Sequence, residues 1–201
     1  MKKGKLIITI TGPTCAGKST LEAALNNEGI PSLISTTTRE PRNGEEHGKH
    51  YYFTNHSIFL DQINKDGFVE TAQVGENMYG LTVHELDRVL NQSDNCVVIV
   101  EPKGLKQVQS YCKKNHIRFF SVFLNVPAKV RAERFVKRHK QDLIDEKESV
   151  VQRIAHMIDT EVGWVMDAYL NNEQYEIIMD VPDGRVFEQL VSEILSVASN
   201  S

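Results

Sequence analysis

The 201-residue sequence predicts an α/β fold, an open parallel sheet flanked by helices. Strand-like and helix-like segments alternate along nearly the whole chain. Cys96 to Val100 and Phe119 to Leu124 are continuous apolar runs, the pattern of strands buried on both faces. A β-branched run, Leu6 to Thr11, passes through a glycine-rich turn directly into a helical pattern.

Taken in order, Leu6 to Thr11 reads as the first strand and Lys18 to Asn27 as a helix with Leu21, Ala24 and Leu25 inward. Ile30 to Ser35 reads as a second strand, and Thr36 to Lys49 as a polar, turn-rich segment. Tyr51 to Thr54 resumes an extended pattern. Ser57 is expected to cap a helix reaching about Lys65, with Ile58, Phe59 and Ile63 at helical spacing. Phe68 to Val74 and Met78 to Thr82 read as short strands, and Val83 to Leu90 as a helix. After the buried strand at Cys96 to Val100, Lys103 to Lys114 is helical, Phe119 to Leu124 is a strand and Ala128 to Lys137 a helix. Arg138 to Glu148 is highly charged and has no core face. One long helix is expected over Glu148 to Leu170, aligned by Val151, Ile154, Ile158 and Val165. Tyr175 to Met179 is the last strand and Val186 to Ala198 the last helix. In such a sheet, ligands bind beyond the carboxyl ends of the strands.

Composition excludes several functions. Lys and Arg number 23 against 27 Asp and Glu, a net charge of −4, which argues against a nonspecific nucleic-acid binder. Apolar residues at 40% place the chain among globular proteins rather than disordered ones. No apolar run approaches the roughly 20 residues of a membrane span, and the basic start, Met1 to Lys5, leads into only five largely apolar residues, too few for a signal peptide. Three cysteines, Cys15, Cys96 and Cys112, with no CxxC pair, fit reduced thiols in a cytoplasm. His47, His50 and His56 lack the companion ligands of a metal site and read as separate loop histidines.

Gly12-Pro13-Thr14-Cys15-Ala16-Gly17-Lys18-Ser19 matches G-x-x-x-x-G-K-[ST] at every fixed position, after a strand and before a helix. This is the phosphate loop of the P-loop NTPase fold. Backbone N–H groups wrap a phosphate chain and the helix N-terminus adds a favourable dipole. Lys18 is expected to reach the β and γ phosphates of ATP, and the Ser19 hydroxyl to ligate Mg²⁺, with Gly12 through Thr20 forming the ATP site. Cys15 stands where no side chain is required and is expected to pack.

The segment from Ser35 to Phe53 offers Arg39 and Arg42, then Glu45, then Tyr51 and Tyr52, equipment for gripping a phosphate monoester through charge-assisted hydrogen bonds. Ser35-Thr36-Thr37-Thr38-Arg39-Glu40-Pro41-Arg42-Asn43-Gly44-Glu45, followed by Gly48 to Phe53, resembles the guanylate kinase family pattern S-x-T-T-R-x-P-R-x-G-E with G-x-D-Y-x-F. Phe68-Val69-Glu70, Tyr79-Gly80, Arg134, Arg138 and Arg153 extend the resemblance over essentially the whole chain. It implies an ATP-dependent nucleoside monophosphate kinase acting on GMP or dGMP. It implies one domain over 1–201: a core (1–33, 83–125, 157–201), an inserted monophosphate-binding lobe (34–82) and a helical lid (126–156).

Residue by residue, the resemblance gives Arg39, Arg42, Tyr51 and Tyr79 to the monophosphate's phosphate, and Glu45 to orienting the arginines. Ser35 and Glu70 go to guanine. Chemistry favours Glu70 independently, since one carboxylate can accept both adjacent donors of guanine. Arg134 and Arg138 correspond to lid arginines that clamp the donor's phosphates, and Arg153 to one that bridges donor and acceptor. Arg131, at i, i+3 and i+7 spacing with Arg134 and Arg138, is expected to lie on a solvated basic face, beside an apolar face of Ala128, Ala132, Phe135 and Val136. Catalysis then needs positioning and charge neutralisation, and no general base.

The sequence departs from the family pattern around the base. Leu81 stands where a hydroxyl residue follows Tyr-Gly, and Ile99-Val100-Glu101 replaces D-x-D, leaving Glu101 to serve the base or the water around Mg²⁺, or to be an ordinary strand-end acid. Two alternatives arise. One is a (deoxy)nucleoside monophosphate kinase with altered base preference. The other is a non-catalytic phosphopeptide-binding module, against which Lys18, Ser19, Arg134 and Arg138 argue. A P-loop kinase of phosphorylated sugars is disfavoured by Glu70 and the Ser35 to Phe53 segment.

Overall fold

The computed structural model describes residues 4–42, 44–140, 150–151, 154–155, 157–181 and 187–199. Four parallel strands, β1 (Leu6–Thr11), β6 (Asn95–Ile99), β7 (Arg118–Asn125) and β8 (Ile177–Asp180), form the main sheet in the order β6-β1-β7-β8. β1 is buried along its entire length. Its alternation sends Leu6, Ile8 and Ile10 to one face, where they meet Leu21 and Leu25 of α1 (Lys18–Asn27) and Leu190 and Ile194 of the last helix, α7 (Phe187–Ser199). Ile7 faces the other side with Leu86, Val89, Leu105 and Val108, from α3 (Val83–Leu90) and α4 (Pro102–Lys114). Helices on both faces of a parallel sheet are the expected architecture. The expected second strand at Ile30 to Ser35 is reduced to a single parallel bridge, Ser32 to Val97, because Pro31 brings no N–H to a ladder.

A second sheet is built almost wholly from 36–82, in the order β3-β2-β5-β4: β2 (Thr36–Thr37), β3 (Tyr52–Phe53), β4 (Phe68–Val74) and β5 (Asn77–Thr82). Helix α2 (His56–Asn64) precedes β4, and its cap is Asn55, whose side chain accepts from the Ile58 N–H at 2.9 Å. The cap expected at Ser57 thus lies two residues earlier. Of the three apolar residues at helical spacing on α2, only Phe59 is buried; it stacks on Phe68 at 4.4 Å, while Ile58 stands half exposed. Helix α4 bridges the two sheets: Gln107 exchanges hydrogen bonds with the Thr71 backbone at 3.1 and 2.8 Å.

Helix α5 (Ala128–Arg138) corrects the expected faces. Phe135 is buried, but Ala128, Ala132 and Val136 are exposed, and the other buried residue is Arg131. Where one long helix is expected over Glu148 to Leu170, the described residues include a π-helical turn at Met157–Glu161 before α6 (Val162–Leu170). Of the four residues expected to align along it, Val151, Ile154 and Ile158 are exposed and Val165 packs against the core. The charged stretch Arg138 to Glu148 lies mostly outside the described residues. No helix among those described is long and apolar enough to cross a membrane.

Candidate active site

The phosphate loop leaves β1 at Gly12, whose φ of +148° and 2.6 Å approach of a notional Cβ to the Leu124 carbonyl admit only glycine. The loop then turns through Cys15 at φ +62° and reaches Gly17 at φ +99°, the N-cap of α1. Cys15 is buried and packs with Phe135 and Val150. The Lys18 ammonium curls back over the loop and donates to the carbonyls of Gly12 at 2.6 Å and Pro13 at 3.0 Å. Ser19 and Thr20 are exposed in the first turn of α1. Burial lowers the pKa of Lys18 to about 8, opposed by the charges of Glu161 and Glu101.

A cleft of about 300 Å³ opens at the carboxyl ends of β1 and β6. It joins Gly12, Thr14 and Lys18 on one wall to Ser35, Tyr51, Glu70 and Tyr79 on the other, with Glu101 between the sheets at the head of α4. Residues from the phosphate motif and from the second polar segment therefore share one enclosure. Tyr51 and Tyr79 meet edge to face at 6.0 Å. Arg39 joins them through its guanidinium, 5.5 Å from the Tyr51 ring. Arg39 Nη2 lies 3.0 Å from both oxygens of Glu45, which also accepts the Arg42 N–H at 2.8 Å. Although burial works against it, those donors hold the Glu45 carboxyl below the usual carboxylate range. The Arg42 side chain itself is exposed.

Glu70 is only 6% exposed and its Oε1 accepts the Leu81 N–H at 3.0 Å. Helix α4 passes over it at Gly104, where a Cβ would stand 2.7 Å from Glu70 Oε2. Burial pushes its pKa up to about 7, and the nearby Glu101 charge adds to the shift. Leu81, which the sequence presents as a lost base contact, turns its side chain fully into the core. Thr82 uses its hydroxyl to cap α3, accepting from the Glu85 N–H at 3.1 Å.

Arg134 donates to the Cys15 carbonyl at 3.2 Å, which places α5 directly over the phosphate loop. Arg138 is exposed in the last turn of α5, and its charge is felt at Cys15 and Lys18. Arg131 does not lie on a solvated face: it is buried, and its Nη1 stands 3.3 Å from Glu161. Arg153 lies outside the described residues. Sequence reasoning missed Glu161 and Trp164, which line the cleft from the π turn and α6. Neither belongs to a motif, and only the chain's return to the main sheet brings them there.

Oxygen donors suit Mg²⁺, and a hydroxyl at Ser19 with a carboxylate at Glu101 makes a donor set that fits it. Among the described residues no cluster of three His, Cys, Asp or Glu could hold a metal by itself. The three histidines of the small sheet serve separately: His47 accepts from Phe53 N–H, His50 from Glu46 N–H, and His56 meets Thr38 and the Glu76 carbonyl.

The chain is similar to several known proteins. Guanylate kinase of Escherichia coli K12 is 33% identical over 79% of this chain and 74% of its own, and that of Campylobacter jejuni is 36% identical over 72% and 70%. Guanylate kinase from Anaplasma phagocytophilum, at 20% identity, has the same fold over 100% of this chain and 87% of its own, with a TM-score of 0.65. With the guanylate kinase family model matching residues 3–181, across both the phosphate loop and the Glu70 wall of the cleft, the chain belongs to the guanylate kinase family.

Proposed function

We propose that the protein transfers the γ-phosphoryl group of ATP to GMP, giving ADP and GDP, within a reducing cytoplasm that keeps its three buried cysteines as free thiols. The observation that carries this reading is the single cleft with Lys18 and the phosphate loop on one wall and Glu70 with the Tyr51–Tyr79 pair on the other. Two nucleotides meeting there would point their phosphates at each other. Residues 1–33, 83–125 and 157–201 would act as the core, 34–82 as the monophosphate-binding lobe and 126–156 as the lid.

The attacking atom is a phosphate oxygen of GMP, already ionised at neutral pH, so no general base is required. As its bond to the γ-phosphorus forms, the bond from that phosphorus to the β–γ bridging oxygen breaks, and ADP leaves with the electron pair. Arg39, Arg42, Tyr51 and Tyr79 would hold the acceptor phosphate, with Glu45 aiming Arg39 as in the observed pair. Ionised Glu70, with Ser35, would accept the two donors of guanine. Lys18 would exchange its two loop carbonyls for phosphate oxygens, and Arg134, Arg138 and Arg153 would neutralise charge on the transferring group. Ser19, with Glu101, would hold Mg²⁺, which would supply further charge neutralisation. A coupled assay with ATP and Mg²⁺ across GMP, dGMP, AMP, dTMP, dUMP and dCMP tests the reading. GMP or dGMP is the expected substrate, and turnover confined to the others would overturn the guanine assignment.

A further inference from the structure

Glu161 is the least expected residue of the cleft. It ends the π-helical turn Met157–Glu161 and is only 2% exposed. Its carboxylate accepts from the Thr14 N–H at 2.9 Å and from the Thr14 hydroxyl, so it grips the phosphate loop at its middle by main chain and side chain together. The same Oε2 stands 3.3 Å from Arg131 Nη1, and Arg131 in turn donates from Nε to the Val126 carbonyl at 3.2 Å. One buried carboxylate thus ties together the phosphate loop, the base of α5 and the segment leading into α6. α5 also carries Arg134 and Arg138, so this tie sets the height of those arginines over the loop. A π turn inserts a residue relative to α-helical winding and rotates the facing of the residues after it, the reason such turns recur at functional sites. Here it ends on the residue that enters the loop.

We infer that Glu161 is a positioning residue for the ATP side of the reaction, holding the phosphate loop in register with α5 through the Thr14–Glu161–Arg131 bridge. Arg131, itself buried, is the cation paired with this buried acid. Among the described residues its partners, Thr14 and Arg131, belong to the loop and α5, and the acceptor-binding segment supplies neither.

The inference rests on ATP occupying the phosphate loop, which turnover of the wild-type protein with ATP and GMP checks separately. Steady-state rates are measured with ATP varied at saturating GMP, and then the reverse, for wild type and Glu161→Gln. In the variant kcat/KM for ATP is expected to fall about tenfold or more, while kcat/KM for GMP moves by less than about threefold. Wild-type kcat/KM for ATP in the folded variant would overturn the inference. So would an equal loss for both substrates, the signature of general structural damage. Where circular dichroism finds Glu161→Gln unfolded, Arg131→Gln cuts the bridge from its other end. A selective ATP defect there supports the inference and wild-type ATP kinetics overturns it.

Discussion

Lys18 and Glu70 occupy opposite walls of one cleft, and burial acts on them in opposite senses. It lowers the lysine to about 8 and raises the glutamate to about 7. The cause is the same, loss of water around a charge, and each group has only part of the company its charge needs. Among the described residues, Lys18 rests on two loop carbonyls and Glu70 on the backbone N–H of Leu81. Their means of placement differ. Lys18 is set by backbone, through a loop whose Gly12 and Gly17 take positive φ, whereas Glu70 is set by its neighbours, under a helix that can approach only because residue 104 is glycine. Both sites hold charge in reserve for a ligand, one for phosphate oxygens and the other for a pair of base donors.

Removing the cation breaks this symmetry most severely. Lys18→Ala is expected to lower kcat by roughly 10²- to 10³-fold or more with an unchanged circular dichroism spectrum, because charge on the transferring group loses its fixed partner. The next effect is on pH. kcat/KM for GMP is expected to fall below about pH 7, where Glu70 takes up a proton, and kcat/KM for ATP above about pH 8, where Lys18 loses one, each by about tenfold per unit. Coincident limbs for the two substrates would dissolve the distinction between the walls.

Glu70→Gln sharpens the comparison through stability. The folded pKa of Glu70, about 7, lies above the ordinary carboxyl value of 4.5, so the folded state holds the proton more tightly than the unfolded state does. Its contribution to stability is present below about pH 4.5 and lost as pH rises to about 7. Gln keeps an acceptor for Leu81 and never ionises. The variant is therefore expected to be more stable than wild type at about pH 8, by up to about 3 kcal/mol, and equal to it at about pH 4. Chemical denaturation at the two pH values measures this, alongside loss of guanine selectivity. The smallest effect lies away from both walls: Asn55→Ala is expected to cost about 1 kcal/mol, read as a Tm about 2–4 °C lower with kcat unchanged.

Much of the scaffold is legible in the amino-acid order alone. The bounds of β1, α1, β4 and α3 coincide with those expected from periodicity, because each joins a clear apolar period to a strong stop: Gly12 after β1, Lys18 after the loop, Thr82 before α3. The phosphate loop is equally plain, since its fixed spacing is a local backbone requirement. Ser57 and Asn55 can both cap α2, and which one does so depends on where the preceding strand β3 releases the chain. Arg131 shares its spacing with Arg134 and Arg138 and so looks solvated, and spacing on one helix cannot reveal an acid arriving from 30 residues away.

The sequence by itself determined the alternation of elements, the phosphate loop and the residue types along the cleft, because these depend on contacts within a few positions of the chain. Only the tertiary structure decided the state and company of the charges. Leu81 lies in the core with its N–H on Glu70, Glu70 and Lys18 have shifted protonation, and Glu161 bridges Thr14 to Arg131. Each of those outcomes depends on how much water remains around a group and which distant segment replaces it, a quantity that no local window of sequence contains.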